Sequence, residues 1–147
     1  MTTEHTPGGL IGASVRRVED PVLVTGKGCY VDDIQLPGTL HMAFLRSPYP
    51  HAKILSMNAS AAKAMPGVVA VVTGDDLSEH LHVPIVPIVP GMKVPPHPLL
   101  ARDAVHAAGV PLAAVVAHSR ALAQDAANAI EVEYEPLPVV VNAEKAL

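Results

Sequence analysis

Hydrophobic and polar positions follow regular patterns from residue 39 onward and only weak ones before it. Alternation with a period of two, or a run of β-branched residues, predicts a β-strand. Four stretches meet this description: TLHMAFLRS (39–47), HAKILSM (51–57), VVAVVT (68–73, expected to be buried) and Leu112 to Ala117. A further strand is expected in EVEYEP, because Ile130, Val132 and Tyr134 alternate with glutamates that would face solvent.

Helical spacing is clearest in SRALAQDAANAI, residues 119–130. Ser119 is expected to cap the start of this helix, because its hydroxyl can accept from a free amide of the first turn. Two shorter helical segments are expected in NASAAKAM (58–65) and GDDL (74–77). In the first of them, either Asn58 or Ser60 can serve as the cap.

Two segments lack a regular pattern. Residues 10–38 are rich in Gly and Pro, which predicts an extended, turn-rich lead-in with short strands at most. VPIVPIVPGMKVPPHP, residues 83–98, has six prolines in 16 residues. Proline removes backbone donors and disfavours helix at the preceding residue, so this is predicted to be a loop with extended segments. Its Ile and Val residues imply that it lies on a surface, either its own or a partner's.

The order of these elements is β-β-α-β-α, a long loop, then β-α-β. Such mixing predicts an α+β fold, with one mixed sheet packed against a few short helices and an extended N-terminal arm. The 147 residues are an ordinary length for one domain. We therefore expect a single domain over residues 10–147 and a flexible arm over residues 1–9.

Composition and charge exclude several classes of function. The formal net charge is −4, and no basic cluster is larger than Arg16-Arg17, so a nucleic-acid partner is not expected. The single Cys29 cannot form an internal disulfide, and the first nine residues do not have the pattern of a secretory signal. The longest strongly apolar stretch, residues 107–117, is too short to span a bilayer. A cytoplasmic protein without a membrane span is the expectation.

Candidate chemistry is present, but each case has a simpler explanation. Gly26-Lys27-Gly28 is not followed by a helix, so a turn is expected there and not a phosphate loop. A nucleophilic Cys29 would need a base, and a lone cysteine is more often a small buried hydrophobe. His80 and His82 lie on one side of an extended segment, yet nothing in the sequence brings further ligands to them. The acidic pairs and rows fit a turn, a helix start and a solvated strand: Asp32-Asp33, Asp75-Asp76 and Glu131-Glu133-Glu135. No catalytic, cofactor-binding or metal-binding residue is therefore assigned in this chain.

A series of short motifs runs along nearly the whole chain: Gly12, Arg17-x-Glu19-Asp20, Gly26-x-Gly28-x-Tyr30-x-Asp32-Asp33, Pro37-Gly38, Arg46-Ser47-Pro48, His51-Ala52-x-Ile54 and Pro66-Gly67-Val68. The stretches PLLARDAVHAAGVPLAAVVA and IEVEYEPLPVVV continue the series. In this order the motifs resemble the start of the large, molybdenum-binding subunit of the xanthine dehydrogenase, aldehyde oxidase and carbon monoxide dehydrogenase family.

The resemblance implies an a/b hammerhead domain. In that family this domain precedes the domains that hold the molybdopterin cofactor, and the glutamate base and the cofactor-contacting loops lie downstream. No catalytic residue is carried over to this chain for that reason. The sequence departs from the family at Val110, where a polar residue is usual, and near Ala107 and Cys29, where an aromatic and a basic residue are common.

The leading hypothesis is a structural domain or split subunit of a molybdenum hydroxylase, an oxidoreductase with its catalytic centre outside this chain. By resemblance, the holoenzyme would use the molybdopterin cofactor, [2Fe–2S] clusters and FAD. The partners would then be molybdopterin-binding domains or a molybdopterin-binding subunit, an iron–sulfur subunit and an FAD subunit. Arg46, Tyr49 and His51 flank a proline-kinked strand junction and are predicted to face a partner, although they could instead satisfy only local backbone groups.

Two other classes stay open at this point. One is a stand-alone, non-catalytic binding module that uses the Pro-rich loop 83–98 to hold a partner. The other is a small hydrolase that uses Cys29 or a histidine as its reactive group.

Overall fold

The computed structural model describes residues 12, 14–78 and 81–146. The chain divides into two units, Met1–Pro37 and Gly38–Leu147. The predicted flexible arm, residues 1–9, lies outside the described residues. The single domain over residues 10–147 remains a prediction.

The first unit contains helical turns where extended chain was expected. Helix α1 spans Asp20–Val24 and has a proline in its first turn, where the missing backbone N–H costs nothing. A 3₁₀ turn covers Val31–Asp33, and the backbone N–H of Tyr30 donates to Asp33 Oδ2 at 2.9 Å. The expectation of extended chain was therefore wrong at Val31–Asp33, because the carboxylate of Asp33, three residues after Tyr30, offers the backbone a local acceptor.

The second unit follows the predicted order of elements, with one short strand added. Its strands are β1 (His41–Arg46), β2 (Ala52–Asn58), β3 (Val68–Thr73), β4 (Ala104–Val105), β5 (Pro111–Ala117) and β6 (Glu131–Pro136). Its helices are α2 (Ser60–Ala64) and α3 (Arg120–Asn128), with 3₁₀ turns at Gly74–Asp76 and Ala143–Ala146. The Ser119 cap is confirmed, since its Oγ accepts from the N–H of Leu122 at 3.2 Å. At α2, Asn58 Oδ1 accepts from the N–H of Ser60 at 3.0 Å.

The strands form two small sheets, and the expected single mixed sheet was wrong. One sheet has the order β1-β5-β3 and the other β4-β2-β6, and every pairing between neighbours is antiparallel. Consecutive strands β1 and β2 belong to different sheets. Pro48 and Pro50 stand between them, and their fixed φ angles disfavour a tight hairpin that would pair the two strands. The α+β class itself is confirmed.

Small aliphatic side chains build the core, as the scarcity of aromatic residues predicts. One buried cluster lies between helices α2 and α3 and the β1-β5-β3 sheet: Ala59, Ala62, Ala113, Val115, Ala126, Ala127 and Ile130. A second cluster consists of Ala52, Ala101, Val105 and Leu112. Leu45, Met57 and Val132 pack against both clusters, so the two sheets share one continuous interior.

Strand burial agrees with the sequence at β6 and differs at β3. Along β6, Val132 and Tyr134 are half-buried while the glutamates are exposed, as predicted. β3 was expected to be buried, but Val69 is 51% exposed. β3 pairs only with β5 and so forms an edge of its sheet, which explains why two of its six residues are exposed and the other four are only half-buried.

Candidate functional site

The junction between β1 and β2, residues 46–51, carries the three residues that the sequence predicts to face a partner. Ser47 anchors this junction and is only 3% exposed. Its N–H donates to the carbonyl of Val110 at 2.9 Å, and its carbonyl accepts from the N–H of Gly109 at 2.8 Å. This reciprocal pair holds the junction against the turn that precedes β5.

Arg46 is exposed, and its guanidinium is held in place from two sides. Nη1 donates to the carbonyl of Gly109 at 2.8 Å. The guanidinium carbon lies 5.5 Å from the ring centroid of Phe44, a cation–π distance. Gly109 has φ +87°, a left-handed conformation that glycine adopts without steric cost. The arginine therefore bonds a backbone group, as the alternative in the sequence analysis allowed, and still presents an oriented cation to solvent.

Tyr49 is fixed by a turn and by an aromatic contact. Ser47 Oγ accepts from the N–H of Tyr49 and donates to its carbonyl, both at 3.0 Å. The Tyr49 ring lies 4.9 Å from that of Tyr134, tilted by 48°. Burial raises the pKa of the Tyr134 phenol above its ordinary 10.0, although a hydrogen bond with the Ser47 side chain acts in the opposite direction. Tyr134 is thus a neutral, half-buried support beneath the exposed Tyr49.

His51 links the junction to the end of β6. Its Nδ1 lies 2.7 Å from the carbonyl oxygen of Pro138, and since a carbonyl can only accept, Nδ1 carries the proton of this bond. The His51 carbonyl accepts from the N–H of Leu137 at 3.0 Å. The His51 ring also lies 5.5 Å from the ring of His106.

The structure therefore brings Arg46, Tyr49 and His51 to one rigid surface, and it shows that Arg46 and His51 each bond a local carbonyl. That this surface faces a partner stays a prediction. Sequence reasoning missed Ser47 and Tyr134, which hold the surface in place. A serine directly before a proline is a signal for turn initiation and could have pointed to Ser47.

Within the part of the chain that the structure describes, the other candidate groups do not come together in one place. Gly26 has φ +68° and its N–H donates to the carbonyl of Leu23, so the glycine cluster is a turn. Cys29 is exposed, which corrects the expected burial, and its Sγ has a 4.0 Å contact with the carbonyl of Tyr30. His80 lies outside the described residues, and His82 forms a strand bridge with Pro98. No group of three or more metal-ligating side chains occurs among the described residues.

The acidic side chains that are described in detail serve local structure. Asp76 Oδ2 accepts from the N–H and the Oγ1 of Thr73, at 2.7 and 2.8 Å, and these bonds lower the pKa of the Asp76 carboxyl. Glu133 accepts from Ser56 Oγ at 2.9 Å, and Glu135 pairs with Lys53 at 3.2 Å. These contacts agree with the predictions that Asp75-Asp76 begins a helical turn and that the glutamates of β6 face solvent.

A cavity of about 360 Å³ lies between the turn at Gly74 and the Pro-rich loop. Its lining is largely apolar and includes Arg102, Asp103 and His106. Two of the five N–H donors of Arg102 bond backbone groups, since Nε donates to the carbonyl of Gly74 at 2.6 Å and Nη2 donates to that of Leu77. This arginine ties the segment before β4 to the turn after β3.

Comparison with known proteins identifies the family to which this fold belongs. Two small antiparallel sheets with a few short helices form an α+β domain of the hammerhead class. Residues 25–138 match the family described as aldehyde oxidase and xanthine dehydrogenase, a/b hammerhead domain. The chain belongs to this family, which forms part of the large subunits of molybdenum hydroxylases.

Three relatives show the extent of the likeness. The chain is 41% identical over 139 residues to the nicotine 6-hydroxylase large subunit of Paenarthrobacter nicotinovorans, covering 94% of this chain and 17% of that protein. It is 44% identical over 138 residues to the carbon monoxide dehydrogenase large chain of Afipia carboxidovorans, covering 93% and 16%. The crystal structure of quinoline 2-oxidoreductase from Pseudomonas putida 86 superimposes with a TM-score of 0.82 and 46% identity, covering 92% and 17%. The chain thus spans about a sixth of the length of these relatives.

An iron–sulfur cluster does not fit the residues of this chain. An iron–sulfur cluster takes four ligands, commonly four cysteine thiolates, and this sequence contains one cysteine. Arg102, the arginine that lines the 360 Å³ cavity, is already bonded to two backbone carbonyls. No step of the chemistry is therefore assigned to this chain. Within the described ranges, no helix is long and apolar enough to cross a membrane.

Proposed function

We propose that this chain is a structural and assembly part of a molybdopterin-dependent hydroxylase of the xanthine dehydrogenase, aldehyde oxidase and carbon monoxide dehydrogenase type. The observation that carries the proposal is the coverage of its relatives. Identity of 41–46% extends over more than nine-tenths of this chain but over only 16–17% of each relative. Two of the relatives are a large subunit and a large chain, so both are components of multi-chain proteins.

The catalytic centre of this oxidoreductase lies outside the chain. Its partners are molybdopterin-binding domains or a molybdopterin-binding subunit, an iron–sulfur subunit and an FAD subunit. These partners carry the cofactors. A single cysteine and a net charge of −4 are consistent with a cytoplasmic complex without nucleic acid.

The junction at residues 46–51 is the surface that we assign to a partner. A guanidinium has five N–H donors, and the bond to Gly109 uses one of them. The others can bind carboxylate or carbonyl oxygens of a neighbouring domain, and such charge-assisted bonds are stronger than neutral ones. Ser47, two prolines and the Tyr134 ring hold the junction in place before a partner binds, so little conformational entropy is lost on binding.

Replacement of Arg46 by Ala tests this assignment. The partner loses a charge-assisted hydrogen bond, so its affinity is expected to fall about tenfold or more. The measurement is the amount of co-purifying chains and of molybdenum per tagged chain, for wild type and for Arg46→Ala. Arg120→Ala is the matched control, because Arg120 is an exposed arginine of the same unit and follows the opposite end of β5. Equal recovery of chains and molybdenum with Arg46→Ala and Arg120→Ala would show that the junction is not part of the interface.

A further inference from the structure

Residues 82–98 form an exposed hairpin-like projection, which we call the proline finger. Its base is closed by the strand bridge between His82 and Pro98 and by the N–H of Val83, which donates to the carbonyl of His97 at 2.8 Å. At its tip, the N–H of Met92 donates to the carbonyl of Val89 at 3.1 Å. Pro90 and Gly91 stand between them, and Gly91 has φ +79°, as in a type II turn. The finger therefore has a defined base and a defined tip.

The outgoing arm of the finger repeats every three residues. Prolines stand at 84, 87 and 90, and a valine precedes each of them. Proline fixes its own φ and restricts the residue before it to extended conformations, so two of every three residues are pre-set. A polyproline II helix also has three residues per turn, and at its rise the seven residues 83–89 would span about 19 Å. Each residue type of the repeat then lines one edge of the arm.

One side of this arm makes little contact with the described part of the chain. From 84 to 88, no backbone group bonds to another backbone group of the described residues. The exposed fractions are 75% for Val86, 84% for Ile88 and 60% for Val89, against 40% for Val83 and 39% for Ile85. The described part of the chain therefore covers much of Val83 and Ile85 but leaves Val86, Ile88 and Val89 open for a partner. Such a contiguous exposed apolar segment marks an interaction site.

The chemistry of the finger restricts the partner. Between residues 81 and 101, Lys93 is the single lysine, arginine or acidic residue. Electrostatic attraction therefore contributes little, and the contact must come from apolar side chains and from free backbone carbonyls. Grooves lined by aromatic side chains bind Pro-rich segments in this way, because the rings pack on the prolines and a Trp or Tyr donor meets a carbonyl.

We propose that the proline finger docks into an aromatic-lined apolar groove in the part of the molybdenum hydroxylase that this chain does not contain. This inference rests on the proposed function. The relatives are about six times longer than this chain, so most of the surface available to the finger lies in that remainder. The finger would give the assembly a second contact, separate in sequence from the junction at residues 46–51. Unlike the contact of Arg46, this second contact does not depend on charge.

The double variant Val86→Asp with Ile88→Asp tests the docking in the purified assembly. Each carboxylate would have to lose its hydration in an apolar groove, so the affinity for the rest of the assembly is expected to fall about thirtyfold or more. Val141→Asp is the control, because Val141 is 92% exposed and lies outside the finger. Unchanged thermal unfolding of the double variant would show that the loss arises at the interface, since neither residue belongs to a buried cluster.

A photo-crosslinking residue in place of Ile88 identifies the occupant. Crosslinks to aromatic-rich segments of the molybdenum-binding part are the expected result, since the contact of the finger itself does not depend on charge. Crosslinks to a second copy of this chain would overturn the inference, and so would an assembly of normal affinity with the double variant. If wild-type protein recovers no molybdenum-containing partner at all, the proposed function itself fails, and this outcome is distinct from a normal assembly in which the finger is dispensable.

Discussion

At the scale of single residues, short polar contacts decide the turns on which the elements depend. Asp76 illustrates this, since its carboxylate receives both donors of Thr73 and closes the 3₁₀ turn after β3. The same device recurs at Tyr30 and Asp33 in the first unit. In both cases an aspartate three residues after the cap position supplies the acceptor. These two carboxylates therefore stabilise backbone turns.

The lowered pKa of Asp76 makes a prediction about acid stability. A carboxyl whose folded pKa lies below its ordinary value of 3.8 stabilises the folded state fully above that pH, and the contribution is lost as the pH falls through the folded value. Asp76→Asn is therefore expected to be less stable than wild type at neutral pH, and the difference should shrink in acid. Chemical unfolding as a function of pH measures it. Asp75→Asn, which removes the neighbouring exposed carboxylate, is the control, and a difference that stays constant down to acid pH would contradict the account.

Residue-level prediction from the sequence succeeded where the signal is local. The Ser119 cap follows from a serine placed directly before helical spacing, and the structure confirms it. Cys29 was wrongly expected to be buried, because burial depends on what packs over a residue and not on its type alone. Extended chain was expected throughout residues 10–38, but the bond between the Tyr30 N–H and Asp33 favours a 3₁₀ turn at Val31–Asp33.

At the scale of elements, helix α3 and strand β5 form the centre of the second unit. β5 pairs with β1 on one side and with β3 on the other, and most of its residues are buried. Ala126 and Ala127 of α3 belong to the same cluster as Ala113 and Val115 of β5. Small residues on both sides leave no room for a larger side chain between helix and sheet.

Ala126→Leu is expected to destabilise the protein by about 1–3 kcal/mol, because the additional methylene and methyl groups overpack this layer. Ala121→Leu, on the exposed side of the same helix, is the matched control and should change stability by no more than about 0.5 kcal/mol. Denaturant midpoints of the two variants and of wild type provide the comparison. Equal midpoints for Ala126→Leu and Ala121→Leu would show that α3 does not pack as described.

In the second unit, the existence and order of the elements other than β4 could be predicted from the sequence, but strand pairing could not. The periods of β1 and β6 and the spacing of α3 are visible in the residues themselves. Nothing in these periods specifies that β1 and β2 join different sheets, since pairing depends on contacts between distant segments. Strand β4 has two residues, Ala104–Val105, and is too short to give a periodic signal.

At the scale of the whole molecule, the chain combines a small-residue core with two exposed surfaces suited to neighbours. The junction at residues 46–51 offers an oriented Arg46 and Tyr49, and the proline finger offers an uncharged apolar edge. The proline kink in the sequence indicated the junction and its three candidate residues. It could not show Ser47 and Tyr134 beneath them, because those contacts join β1, the turn before β5 and β6.

The most direct test of the central claim is purification from the native host, with mass spectrometry of the co-purifying polypeptide and metal analysis. The account predicts that the chain is recovered with molybdenum and with sequence that matches the remaining five-sixths of its relatives, whether on a separate chain or in one continuous polypeptide. Recovery of the chain alone, without molybdenum and without such sequence, would contradict the account.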